Sequence, residues 1–248
     1  MARYMIHACK QRLWYVNDYL MPSMIAQGIS ECDIILWLDK DNRGNLASFV
    51  DSMEYCADDK SDGIWHIQDD VILCSDFKKR TEEHDTGLIA GFASYYDKDL
   101  CVIKECINAK IEKRAVNSNK ISDVIWGEVV LSDMWLSFPC IRIPNRLAKD
   151  FIDWWLYSYV QLDLNVFEMC IKDNRHDDYL FRKFLRDTHP FMKAYNVKPN
   201  LVNHIDYLLG GSLVNDRKGE QVVSLFWDEP ELVTDLKNCL EEYHCADK

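Results

Sequence analysis

Over residues 1–95, short apolar runs alternate with segments whose apolar residues recur at helical spacing, and this rhythm constrains the fold more than any other feature. Arg3-Tyr4-Met5-Ile6-His7-Ala8 reads as a short buried strand. Leu13, Val16, Leu20, Met24 and Ile25 then predict a helix over residues 11–27, closed by Gly28. Asp33-Ile34-Ile35-Leu36-Trp37-Leu38 is a continuous apolar run ending at Asp39, the pattern of a parallel strand covered on both faces. A second helix is expected over residues 45–55. Gly63-Ile64-Trp65-His66-Ile67 gives a third strand that runs straight into Gln68-Asp69-Asp70. Ser75 is placed to cap a helix over residues 76–83, before another apolar strand at 87–94. Strand and helix in alternation imply an α/β domain with a mainly parallel central sheet flanked by helices.

The remaining chain is less regular. Met134-Trp135-Leu136-Ser137-Phe138-Pro139-Cys140-Ile141-Arg142-Ile143-Pro144 reads as extended, and Asn145 as the cap of a helix through Trp154, Trp155 and Tyr159. A helix is expected to start near Asp177-Asp178 and to carry Leu180, Phe181, Phe184 and Leu185. Residues 197–204 read as an edge segment leading to a Gly210-Gly211 turn. The acidic residues 216–248 predict a peripheral strand at 222–227 and an amphipathic helix at 232–243. The expected division is a catalytic domain over 1–215, with a nucleotide-binding half at 1–95 and an acceptor half at 96–215, and an acidic extension over 216–248 packed on it.

Composition narrows the function classes. A chain of 248 residues with 48% apolar content can bury a sizeable core, and one globular unit is expected. The start does not resemble a signal peptide, because Lys10 and Arg12 interrupt its apolar stretch, and no run approaches the roughly 18–20 apolar residues of a membrane helix. No membrane insertion is expected. The ten cysteines form no CxxC pair, so reduced thiols in a cytoplasmic protein are the simplest account. A net charge of −12 argues against indiscriminate binding to polyanions. Locally the sign inverts: residues 101–120 carry Lys104, Lys110, Lys113, Arg114 and Lys120 against Glu105 and Glu112. Nothing in the sequence implies an obligate protein partner.

Asp69 and Asp70 stand where an apolar strand ends, and in open α/β sheets the carboxyl ends of strands line the ligand crevice. Two adjacent carboxylates there suit a hard divalent cation that can bridge a diphosphate. Standing alone, the pair reads equally as a solvated acidic turn. Arg12 and Lys10, after the first strand, are placed to reach a diphosphate or base, or to form a solvated first turn. Asp39 can accept hydrogen bonds from a nucleoside, or cap its own strand. The turn from Asp39 to Gly44 has the wrong length and too few glycines for a phosphate-cradling loop.

The order of these features resembles the GT-A glycosyltransferase family over about residues 3–215, as a match of pattern and not of identity. His7-Ala8-Cys9-Lys10-Gln11-Arg12 looks like that family's nucleotide-binding opening, and the strand ending in Gln68-Asp69-Asp70 is similar to its metal motif. The resemblance implies Asp70 as direct ligand of Mn²⁺ or Mg²⁺, and Asp69 as a second ligand or a contact to the donor sugar. Gln68 and His7 would help hold a nucleoside-diphosphate sugar. Asp177-Asp178 resembles the acidic pair that supplies the base in inverting members, with Asp178 the first choice and Asp177 the second. Helix capping accounts for either acid as well. Pro199-Asn200-Leu201-Val202-Asn203-His204 looks like the late strand that returns a histidine, here His204, to the metal, and an imidazole ligand leans the choice toward Mn²⁺.

Phe151, Trp154 and Trp155 are expected in the core, and Trp126 and Trp135 on the acceptor side. The small size and basic insert look like glycosyltransferases encoded by tailed phages, some of which modify hydroxymethylated DNA bases, so the Lys104–Lys120 stretch is a candidate contact for modified DNA. A cell-surface glycan is the rival acceptor. A metal-dependent phosphohydrolase or nuclease is the rival class; His176-Asp177 spells such an HD dyad, although that fold is all-helical. A scaffold whose acid pairs merely cap helices is the non-enzymatic alternative.

Overall fold

The computed structural model describes residues 2–41, 43–92, 94–95, 128–130, 138–161, 177–190, 192–197, 199–210, 223–224 and 227–246. These form a mixed α/β unit around a seven-stranded sheet of order β2-β1-β3-β8-β5-β9-β7. The strands are β1 (Arg3–Cys9), β2 (Ile34–Asp39), β3 (Gly63–Gln68), β5 (Leu88–Ala90), β7 (Glu128–Val130), β8 (Cys140–Pro144) and β9 (Lys193–Asn196). Strands β1, β2, β3, β5 and β9 share one direction, whereas β8 and β7 run against it. Two ribbons flank the sheet: β4 (Val71–Leu73) with β10 (Val202–His204), and β6 (Ser94–Tyr95) with β11 (Val223–Ser224).

Period-two alternation divides the core. Tyr4, Ile6 and Ala8 of β1 and Trp65 and Ile67 of β3 face one side. There they meet Tyr15, Val16, Leu20 and Met24 of the first helical stretch, α1 (residues 10–26), Phe77 of α3 (Phe77–Glu83), and Leu236 and Leu240 of α6 (Pro230–Ala246). Met5 and Ile64 face the other side, against Phe49 and Met53 of α2 (Asn45–Asp58), Phe151 of α4 (Asn145–Gln161), and Phe181 and Phe184 of α5 (Asp177–Thr188). Trp154 and Trp155 pack on this second core, as expected. Among the described residues no helix is long and apolar enough to cross a membrane.

Several local expectations need correction. Strand β2 pairs with β1 alone and ends the sheet, so its apolar run is half-buried and Leu36 keeps 38% of its surface. Strand β8 is antiparallel to both neighbours, a direction that periodicity does not encode. Its Arg142, fully buried, donates to Asp85 Oδ1 at 2.9 Å and to the Gly87 carbonyl at 2.9 Å. A Cβ at Gly63 would lie 2.9 Å from that guanidinium and 2.9 Å from the Ile143 carbonyl oxygen, so the first residue of β3 must be glycine unless both side chain and backbone shift. The first helix is not uniform: Leu13–Tyr15 is α-helical, Val16–Leu20 a π turn and Met21–Ala26 α-helical again. Ser75 does not cap α3, because Asp76 holds that position and the Ser75 N–H donates to Glu229. Asn145 does not cap α4 from outside. It is that helix's first residue and donates its amide to the carbonyls of Asp59 and Ser61.

Candidate functional site

From β1 the chain crosses to β2 on one side and then to β3 on the other, so the strand order reverses at β1, the place where open α/β sheets bind ligands in a crevice beyond the carboxyl ends of their strands. Asp69 bridges that point: its Oδ2 accepts the Cys9 N–H, at the end of β1, at 2.7 Å. Arg12, in the short 3₁₀ turn directly after β1, folds back into the crevice. Its Nη1 donates to Asp69 Oδ1 at 3.2 Å and forms a close ion pair with Asp70 Oδ2. All three side chains are buried.

The β4–β10 ribbon brings His204 to this cluster. Its register sets His204 opposite Val71, and the next residue, Ile205, donates its N–H to the Asp70 carbonyl at 2.8 Å. His204 Nε2 therefore lies 3.2 Å from Asp70 Oδ2, while Nδ1 faces Asp206 Oδ1 at 3.4 Å. Burial alone would raise Asp70, but the charges of His204 and Arg12 outweigh it and hold the carboxyl well below the usual range. Asp69 is raised, first by burial and then by the Asp70 charge. Burial would lower His204, and Asp70 overcomes it to raise the imidazole. One carboxylate thus stays ionised at the centre of the cluster.

Asp70 fits a hard divalent cation in two respects. Its Oδ1 is buried with no hydrogen-bond partner among the described residues, and an imidazole nitrogen stands beside its other oxygen. Two features oppose occupancy: the Arg12 guanidinium already sits against both carboxylates, and His204, raised by Asp70, must give up its proton before its nitrogen can serve as a ligand. Among the described residues, the ligand atoms that lie within 4.8 Å of one another as a group of three belong to Cys74, Asp76 and Glu229. There Glu229 is already committed, accepting the Ser75 N–H through both oxygens at 3.1 and 3.0 Å.

The other expected residues are placed as follows. His7 stacks on His66 with its Nε2 2.8 Å from Nδ1 of that ring, and burial pushes His7 down to about 4, so the pair is neutral. Gln68 ends β3 in register with His7, its N–H donating to the Pro139 carbonyl. Lys10 is exposed in the turn after β1. Both oxygens of Asp39 accept backbone N–H groups, from Arg43 at 3.0 Å and Gly44 at 2.7 Å, which closes the turn into α2. Asp177 and Asp178 open α5, and Asp177 hydrogen-bonds Asn45, the first residue of α2, beyond the carboxyl end of β2. Burial first, and Asp178 second, push Asp177 up to about 7. Trp126, Trp135, His176 and the Lys104–Lys120 stretch lie outside the described residues.

Sequence reasoning missed Asp206, Asn45 and the Cys9 N–H. For Asp206 the only signal was nearness in sequence: it follows His204 by two and opens the 3₁₀ turn after β10.

No family model matches the chain, and no curated protein does. The crystal structure of HddC from Yersinia pseudotuberculosis is similar over 60% of this chain and 80% of that chain, at 10% identity and a TM-score of 0.30. So slight a likeness carries no argument about function.

Proposed function

We propose that the chain is a metal-dependent glycosyltransferase of GT-A type, moving a sugar from a nucleoside diphosphate to an acceptor hydroxyl. One observation carries this reading: Arg12, Asp69, Asp70 and His204 meet at the carboxyl-end crevice where the strand order reverses. In the reaction the bond from the anomeric carbon to the diphosphate breaks and a bond to the acceptor oxygen forms. Asp70, with His204 in its neutral form, would hold Mn²⁺ or Mg²⁺, which would supply a Lewis acid for charge on the departing diphosphate. Arg12 binds that diphosphate and Asp69 orients the donor. The acceptor proton passes to the Asp177-Asp178 pair, in which Asp177 has the raised proton affinity that base catalysis near neutral pH requires.

For the acceptor we propose a hydroxymethylated base in phage DNA, on the strength of the basic residues Lys104–Lys120. A phosphohydrolase using two metal ions fits less well, because the carboxylates around Asp70 are already shared with Arg12 and His204.

A thermal-shift screen of nucleoside-diphosphate sugars with Mn²⁺ or Mg²⁺ tests the donor. A donor at about 100 times its Kd should raise the melting temperature by roughly 5–10 °C. Asp70→Ala should lose that response. No stabilisation of the wild type by any donor, or the same response in Asp70→Ala, sinks the reading. Mass spectrometry of hydroxymethylcytosine DNA after incubation with the stabilising donor then tests the acceptor. An unchanged DNA mass would point to a glycan.

A further inference from the structure

We propose that Arg12 is a displaceable counter-charge that holds the place of the divalent cation until a diphosphate arrives, so that cation and diphosphate bind as a pair and the cation binds poorly alone. This rests on the glycosyltransferase reading for the presence of a diphosphate in the crevice.

Asp69 and Asp70 are adjacent and both buried, and the guanidinium of Arg12 touches one oxygen of each. A guanidinium does not shed its proton in a protein, so its charge can leave the cluster only by movement of the side chain. A divalent cation bound to Asp70 while Arg12 stays in place would put like charges side by side in a site where water screens little. The carboxylates can accept the metal fully only when Arg12 withdraws.

Withdrawal needs a destination, since a buried charge that loses its partner is strongly unfavourable. Solvent is remote, because Arg12 is itself buried. A diphosphate supplies the anion. Its oxygens match the guanidinium fork as well as a carboxylate does, and Arg12 lies in the turn directly after β1, at the carboxyl end of that strand. The exchange keeps the guanidinium paired: Arg12 passes from carboxylate to phosphate, and the vacated oxygens are open to the cation, with His204 neutral beside it. Asp70 Oδ1, buried with no hydrogen-bond partner among the described residues, is the point at which the incoming cation first gains a ligand.

The test is a calorimetric titration of the full chain with Mn²⁺ alone, and with Mn²⁺ in the presence of UDP. Wild type should bind Mn²⁺ alone weakly. Arg12→Gln should bind Mn²⁺ alone about tenfold more tightly, a coupling of ordinary size, and should bind UDP less tightly at saturating Mn²⁺. Arg12→Lys, which keeps a cation, should stay close to wild type for Mn²⁺ alone. Equal Mn²⁺ affinity in wild type and Arg12→Gln overturns the proposal, even where Mn²⁺ and UDP together still bind and the glycosyltransferase reading stands. No Mn²⁺ uptake by any of the proteins, with or without UDP, overturns both.

Arg12→Gln removes a buried counter-charge from Asp69 and Asp70 and could fail to fold, so a measurement on the wild type runs in parallel. The Arg12 Nε–H resonance, assigned by its loss in Arg12→Lys, should stay in place with Mg²⁺ alone and move when Mg²⁺ and UDP are added together. Full movement with Mg²⁺ alone, or none with both, overturns the proposal.

Discussion

Asp177 joins a stability effect and a chemical role in one side chain. It opens α5 with its carboxylate buried, accepting from backbone N–H groups of its own turn and bonding to Asn45. Burial outweighs those bonds, and the group titrates at about 7 instead of the ordinary 3.8. A carboxyl whose folded pKa is raised contributes stability that is fully present below the unfolded value and lost as pH rises through the folded one. The chain should therefore lose stability between about pH 4 and pH 7 as Asp177 ionises. Asp177→Asn should flatten that slope and, above pH 7, stabilise the fold by on the order of 2–4 kcal/mol. Chemical unfolding of both proteins across this range checks the claim, and parallel curves would refute it. The same variant separates the two acids as bases. If Asp177 takes the acceptor proton, wild-type turnover rises with pH through about 7 and Asp177→Asn loses at least a hundredfold. If Asp178 does, Asp178→Asn bears that loss.

Elements decide which residues meet. His204 reaches Asp70 only because β10 pairs with β4, and the segment leading into β10 is pinned from below by Arg80 of α3. That buried guanidinium donates to the carbonyls of Pro199 and Asn200 and to the Cys74 sulfur. Arg80→Ala should cost about 2–3 kcal/mol, because it removes the charged hydrogen bonds to the Pro199 and Asn200 carbonyls. It should also weaken Mn²⁺-dependent donor binding without touching the ligand, since His204 loses its fixed approach. Loss of stability with full donor affinity would separate the pin from the site.

The sequence was legible at this scale where burial is continuous. Strands β1 and β3 and helices α2, α4 and α5 follow from apolar periodicity alone. An apolar run of six reads the same at a sheet edge as at its centre, so the position of β2 was not legible, nor was the direction of β8. Arg12 pairs with carboxylates 57 and 58 positions away, and Asp177 with Asn45; no local spacing carries such contacts. His204 was found through the order of elements, not through any property of its own surroundings in sequence.

At the scale of the molecule, one sheet separates two aromatic-rich cores, and the crevice lies at the carboxyl end of the strands that both cores cover. Phe77 is fully buried on the α1–α3 side, within 5.8 Å of Tyr4 by ring centroid. Phe151 is fully buried on the other side, 5.7 Å from Phe49 and 5.4 Å from Phe184. The strands between them alternate residues into both cores, so neither face can lose its packing while the sheet keeps its register. Phe77→Ala and Phe151→Ala should each cost about 3–5 kcal/mol. They should do so on one shared transition, lowering it by roughly 6–20 °C for a chain of this length. Calorimetry decides between this and independent layers: a second transition left at the wild-type temperature in either variant would mean that one face unfolds without the other. A single lowered transition in both would make the sheet the unit of stability. It would also place the crevice, with Arg12 and Asp70, on the most firmly held part of the chain.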